Sequence, residues 1–238
     1  MPSAQCLTHM DLSELESKIG AVFRDKDLLA QALVHRSYLN ENPSFRLSHN
    51  ERLEFLGDAV LELVVTAALY REFPSKPEGE LTSLRAALVN SKMLAELGEE
   101  IGLNDFLKLS RGEAKDVGRA RQFILANTLE ALIGALYLDG GYDPAKRFIE
   151  SVLLRRLPDV ISQQLYKDPK SLFQEEAQER AGITPTYVVV QEWGPDHDKH
   201  FVIGAYLGRE LVAQGEGPSK QMAQEAAARQ ALTAKGWG

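Results

Sequence analysis

The chain has a single cysteine, Cys6, which excludes an intramolecular disulfide framework and any cysteine-rich zinc site. No uninterrupted apolar run of about 18 residues occurs, and the amino terminus, MPSAQCLTHMDL, has no basic region followed by an apolar one, so neither a membrane span nor a cleaved leader is expected. There is no excess of basic residues: the formal net charge is −7, which argues against indiscriminate attraction to nucleic acid or anionic membrane. The five histidines, His9, His35, His49, His197 and His200, show no spacing that suggests a zinc pair or a relay with a nearby acid. Internal repeats and low-complexity segments are absent too. The expectation is a protein of the reducing cytoplasm, with no histidine-based hydrolysis.

What is present is a large apolar fraction. With 238 residues and 44% hydrophobic composition, the chain is long enough for one large or two ordinary domains. From residue 11 to about 157 the periodicity is helical, with helices expected near 11–19, 25–37, 50–72, 80–98, 118–138 and 144–157 and irregular segments at HRSYLNEN and KLSRGEAKDVG. PDVISQQLYKDP, framed by Pro158 and Pro169, reads as a linker. After it, KSLFQEEAQERAG reads as a helix, TYVVVQEW, HFVIGAY and RELVAQG as strands, and residues 218–234 as a closing helix. The expected organisation is an all-α domain over residues 1–157, a linker at 158–166, and a small α+β domain of order α-β-β-β-α over 167–238.

One stretch of the first domain carries chemistry. In NERLEFLGDAVLEL, Glu51, Glu54, Asp58 and Glu62 fall within a helical sector roughly 80° wide, Arg52 points away from it, and apolar residues cover the rest. Acids at i, i+3 or i+4 repel by roughly 0.2–0.5 kcal/mol per pair even when solvated. Such a stripe is either a solvated outer face or a hard-cation site whose charge offsets the repulsion. Asn127 and Glu130, at i, i+3 in FILANTLEALIGALYLDGG, put polar oxygens on a second apolar helix. Two such helices meeting would supply four oxygen ligands to a cation such as Mg²⁺.

NERLEFLGDAVL is similar to the signature of the ribonuclease III family, enzymes that hydrolyse double-stranded RNA. HRSYLNEN, PEGELTSLRAALV and ILANTLEALIGALYLD resemble its other segments in matching order, and the chain from Lys167 resembles the double-stranded RNA-binding domain such enzymes carry. The resemblance spans residues 12–235. It implies an all-α endonuclease domain followed by that small α+β domain, and an endoribonuclease of RNA processing, rRNA included, leaving 5′-phosphate and 3′-hydroxyl ends. It further implies a homodimer and a Mg²⁺ cofactor, for which Mn²⁺ substitutes.

By the same resemblance Glu54, Asp58 and Glu130 match metal ligands, with Asp58 and Glu130 catalytic, and Asn127 stands where the common pattern has Asp. An Asn offers a carbonyl oxygen without charge, so the alternative is a duplex-RNA-binding protein of the same build with weakened or absent cleavage. A helical scaffold with solvated acid stripes is the third reading. Glu51 and Glu78 match acids near the RNA cleft; Glu78 also suits a helix first turn. Glu62 matches no catalytic position and reads as solvated or paired. Phe55 matches an aromatic that plugs a cavity of the second subunit, its alternative being an ordinary core residue.

For RNA, Gln174, Glu175 and His197 match minor-groove contacts and Lys220 a phosphate contact at a helix start. Gln221 stands where a second basic residue is frequent, and residues 167–238 hold eight Lys and Arg against ten Asp and Glu. Lys108, Arg111, Lys115, Arg119 and Arg121 are a candidate phosphate rail, or simply a solvated charge run.

Overall fold

The computed structural model describes residues 12–195 and 199–237, in two compact units, one ending at Val160 and one beginning at Ile161. The first is helical: α1 (Ser13–Ile19), α2 (Lys26–Ala32), α3 (Arg36–Glu41), α4 (Glu51–Glu72), α5 (Glu78–Val89), α6 (Ser91–Ile101), α7 (Arg119–Gly140) and α8 (Tyr142–Val152), with α9 (Leu157–Ser162) beginning in it and ending past its last residue. Helix α7 is the axis of this unit and packs against α2, α4, α6 and α8. Leu125, Leu129, Ala131, Leu132, Ile133 and Ala135 are almost wholly buried around it. Among the described residues it is the one helix long and apolar enough to cross a membrane, but its apolar surface is the core of this unit.

Helices α4 and α7 touch backbone to backbone. A Cβ added to Gly57 would lie 1.8 Å from the Glu130 carbonyl oxygen, and one added to Gly134 would lie 2.2 Å from that of Leu53. Only hydrogen fits at either position, so the two glycines set how closely the long helices cross.

Several expected elements need correction, and the helix expected over 25–37 ends at Ala32, with Leu33 at its cap. The single helix expected over 80–98 is broken at Asn90, whose extended backbone ends α5 and whose side-chain oxygen accepts from Met93 N at 3.0 Å to cap α6. HRSYLNEN is not irregular: it forms α3, with His35 Nδ1 at the cap accepting from Ser37 N. The stretch expected as a linker, 158–166, contains most of α9, with Leu157 and Val160 buried. The apolar side chains at those two positions, i and i+3, fold it onto a core.

The second unit has α10 (Pro169–Ala181), β1 (Thr186–Trp193), β2 (His200–Leu207), β3 (Glu210–Gly217) and α11 (Lys220–Lys235), with an antiparallel sheet of order β1-β2-β3. Asp168 caps α10 through Ser171 N, and Ser219 caps α11 through Met222 N. Leu172 and Phe173 of α10, Ala205 and Leu207 of β2, and Ala227, Ala228 and Ala231 of α11 form its core. Small residues let α11 lie on the sheet: a Cβ on Gly215 would stand 2.0 Å from Ala227 N.

Candidate active site

The Gly57–Gly134 crossing brings side chains of the two helices together, those beside Gly57 and one turn before it on α4 and those one and two turns before Gly134 on α7. Glu54 and Asp58 come from α4, Asn127 and Glu130 from α7. Glu54, Asn127 and Glu130 are half-buried and Asp58 is exposed. Burial, then the charges of Asp58 and Glu54, push the Glu130 carboxyl up to about 7. Glu54 is raised by burial and by Glu51 and Asp58, against the pull of the Asn127 amide, which donates a hydrogen bond to it. The acids of the two helices therefore feel one another, and Asn127 takes part in the same group.

Among the described residues no three His, Cys, Asp or Glu side chains close on one point as metal ligands do. Like charges on facing helices hold apart. The donor set is nevertheless that of a hard cation: three carboxylates and one amide, no sulfur or imidazole, in a half-buried place where negative charge is disfavoured until compensated. These residues fit a divalent ion such as Mg²⁺.

Glu51 stands at the edge of this group, 3.4 Å from Arg36 Nη1 and 3.7 Å from His49 Nδ1. Burial lowers the pKa of His35, the nearby charges of Glu113 and Glu51 opposing it. Two histidines and an arginine thus gather about Glu51, although the spacing of the histidines suggests no relay with a nearby acid. His49 is a chain neighbour of Glu51, whereas Arg36 and His35 reach it only because α3 and the start of α4 meet in the fold. Glu62 is paired with Arg85 at 3.3 Å. Glu78 opens α5, accepts from Thr82 Oγ1 at 2.9 Å, and lines a separate cleft of about 370 Å³ with Thr66, Tyr70 and Arg85. It does not join the other acids within the protomer.

Phe55 is no core residue: it is 82% exposed, at the rim of a cavity of about 590 Å³ lined by Leu28, Gln31, His49, Leu53, Leu56 and Leu138. Ala59 and Leu63 are exposed on the same helix, so α4 is not the rod buried on every apolar side that its sequence suggests.

The basic segment after α6 is tied to α3 by its backbone. Ser110 N donates to Ser37 Oγ at 3.1 Å and Arg111 N to the Glu41 carboxylate at 3.2 Å. Two of the expected rail cations are turned inward, Lys108 over the rings of Tyr38 and Phe45 and Arg121 onto the Ala114 carbonyl. Arg111, Lys115 and Arg119 remain exposed. In the second unit Gln174 and Glu175 are exposed side by side on α10, and exposed Lys220 reaches over the Phe201 ring. Gln221 is hydrogen-bonded to Glu225 at 3.0 Å. His197 lies outside the described residues.

Comparison with known proteins bears on both units. A ribonuclease-III-like family model matches residues 25–157 and a double-stranded RNA binding motif matches 169–234. The chain is 45% identical to Ribonuclease 3 of Natranaerobius thermophilus over 92% of its own length and 94% of that protein's. Identity to Ribonuclease 3 of Geobacter sulfurreducens is also 45%, over 92% of this chain and 88% of the relative. Among solved structures, the nuclease domain of ribonuclease III from Campylobacter jejuni aligns with a TM-score of 0.56 at 40% identity, covering 62% of this chain and 97% of that one. A second structure of that domain, described in terms of flexibility in a region involved in dimer formation, aligns with a TM-score of 0.54 at 42% identity, over 60% of this chain and 98% of the other.

Proposed function

Because the chain belongs to the ribonuclease III family, an endoribonuclease family, and has a double-stranded RNA binding motif behind its nuclease domain, we propose that it cuts duplex RNA as a Mg²⁺-dependent homodimer. The products have 5′-phosphate and 3′-hydroxyl ends, and the reaction belongs to cytoplasmic RNA processing, that of rRNA included. The observation that carries this reading is the glycine crossing of α4 and α7, which gathers Glu54, Asp58, Asn127 and Glu130 into one electrostatically coupled group.

Those four side chains would hold the metal, Mg²⁺ or in its place Mn²⁺, with Asp58 and Glu130 nearest the chemistry. A bound divalent cation lowers the pKa of a water to make a nucleophile and offsets charge on the phosphate oxygens. The protein supplies oxygens carried on two helices in backbone contact, and burial that keeps those of Glu54, Asn127 and Glu130 from being fully hydrated. Glu51, steadied by Arg36 and His49, positions groups at the edge of the site. Gln174, Glu175 and His197 read the minor groove through 2′-hydroxyls, while Lys220 and the exposed Arg111, Lys115 and Arg119 meet phosphates. A two-fold pair inserting each Phe55 into its partner's cavity would give one site per strand.

Incubation of a labelled RNA duplex with the protein in Mg²⁺ and in EDTA tests the activity. Double-strand cuts only in Mg²⁺ are expected, and binding without cuts in either condition would mean a non-cutting RNA-binding protein. Phe55→Ala is expected to shift sedimentation toward monomer; an unchanged dimer at low concentration would remove Phe55 from the interface.

A further inference from the structure

Lys170 follows the Asp168 cap and Pro169 at the start of α10. Its Nζ donates a 2.6 Å hydrogen bond to Gln224 Oε1 on α11 and lies 5.3 Å from the centroid of the Tyr187 ring. Both partners are neutral. Arg180 and Lys235 of the same unit, by contrast, are matched with the carboxylates of Glu176 and Glu210. An ammonium held by an amide oxygen and a ring face is oriented without being neutralised.

Gln224 stands one turn after Lys220 on α11, which puts their Cβ atoms about 6 Å apart. The amide therefore ties the Lys170 ammonium to the helix face that also carries Lys220, which rests on another neutral partner, the Phe201 ring at 5.6 Å. Lys170 of α10 and Lys220 of α11 thus both contact the amino-terminal half of α11 or the sheet residues beneath it. The first turn of α11 is capped by Ser219 and presents the positive end of a helix of 16 residues.

We propose that Lys170, steered by Gln224, is a second phosphate-binding cation of the duplex RNA site and acts beside Lys220. The inference rests on the reading of Lys220 as a phosphate contact. It explains how a domain with eight Lys and Arg against ten Asp and Glu can grip a polyanion: it carries few cations, and holds two of them at one helix.

The test is the salt dependence of duplex binding by the full chain, followed by anisotropy of a labelled RNA in EDTA. Each phosphate contact adds about 0.9 to the slope of log affinity against log salt for a regular duplex. Lys170→Gln and Lys220→Gln are each expected to lower the slope by nearly one and weaken binding severalfold at about 0.1 M salt, while Lys170→Arg keeps the parent slope. Gln224→Glu leaves Lys170 in place but gives it a carboxylate partner, and is expected to lower the slope as Lys170→Gln does. Melting curves of all variants separate binding from folding. A parent-like slope in Lys170→Gln or in Gln224→Glu would make Lys170 a packing residue and overturn the proposal. Loss of slope in neither lysine variant would instead overturn the phosphate reading of α11 beneath it.

Discussion

Glu54 and Glu130 between α4 and α7 are half-buried, repel each other and the exposed Asp58, and sit beside a backbone contact, whereas Gln174, Glu175 and Lys220 of the second unit are exposed at the tips of flexible stems. The difference suits the roles proposed for the two surfaces. Hydrolysis of a phosphodiester needs oxygens placed to within fractions of an ångström, and side chains carried on helices in backbone contact suit that need. Reading a duplex by shape tolerates mobile side chains, and their contacts are easily screened by salt. Glycine serves both units, but at Gly57 and Gly134 the close approach aims functional groups, while at Gly215 it seats α11 on a sheet.

The largest effect is therefore expected from Gly57→Ala. Its methyl would meet the Glu130 carbonyl at 1.8 Å, and the clash is with backbone, so α4 and α7 must separate. Overpacking costs about 1–3 kcal/mol, with rigid contacts at the upper end, which lowers the melting temperature by roughly 10 °C. Cleavage is expected to vanish even where the variant is folded. Gly215→Ala is the matched change in the second unit: it is expected to unfold that unit and leave cleavage by the first intact but more salt-sensitive. Parent-like melting of Gly57→Ala would contradict the backbone crossing, and loss of low-salt cleavage in Gly215→Ala would contradict the division of labour.

Much of this contrast was legible beforehand, for reasons specific to each element. Helices α4 and α7 announce themselves because each is long and uninterrupted, and the alternating patterns of the three strands after Gly182 mark a sheet. The break at Asn90 is hidden since LVNSK contains neither proline nor glycine, and α3 is too short for a period to register. In the site, Glu54, Asp58, Asn127 and Glu130 are legible as two polar faces on apolar helices. Gly57 and Gly134, which make those faces meet, are not. A helical glycine shows its reason only when the opposing backbone is known, although its place between Glu54 and Asp58 was a signal available to be read. The approach of Arg36 to Glu51 is hidden for the same reason.

An intermediate effect is expected from the Glu130 carboxyl. Its pKa of about 7 in the folded metal-free protein lies above the ordinary 4.5, so between these values the native state binds more protons than the unfolded one. The resulting stabilisation is fully present below about 4.5 and is lost as pH rises through 7. Glu54, also raised, adds to it with the same sign. The metal-free protein is expected to melt at progressively lower temperature from pH 5 to pH 8, and Glu130→Gln to flatten that dependence. Because proton and cation compete for the same oxygens, the Mg²⁺ needed for cleavage is expected to rise as pH falls below 7. Glu130→Gln is expected to retain duplex binding and lose roughly 10²–10³-fold in cleavage, as when one electrostatic group is removed from a transition state. A pH dependence of melting shared by parent and variant would take Glu130 out of the coupled group.

The smallest and most discriminating change is Asn127→Asp. It replaces an amide that donates to Glu54 with a fourth carboxylate in the group of Glu54, Asp58 and Glu130, so a favourable contact becomes a repulsion. Metal-free stability is expected to fall by on the order of 1 kcal/mol, the net worth of a hydrogen bond to a charged group being of that size. A bound cation reverses the balance, since the added charge then faces a positive ion. Stabilisation by Mg²⁺ is accordingly expected to be larger than in the parent, and cleavage to need less of the metal. An exposed exchange in the second unit, such as Gln221→Lys, is expected to alter only the salt slope of RNA binding, with no link to Mg²⁺. Melting curves and cleavage rates across a Mg²⁺ titration decide the matter. Were Asn127→Asp to leave the metal dependence of both unchanged, residue 127 would not be a ligand, and the seam would differ from the second unit only in burial, not in chemistry.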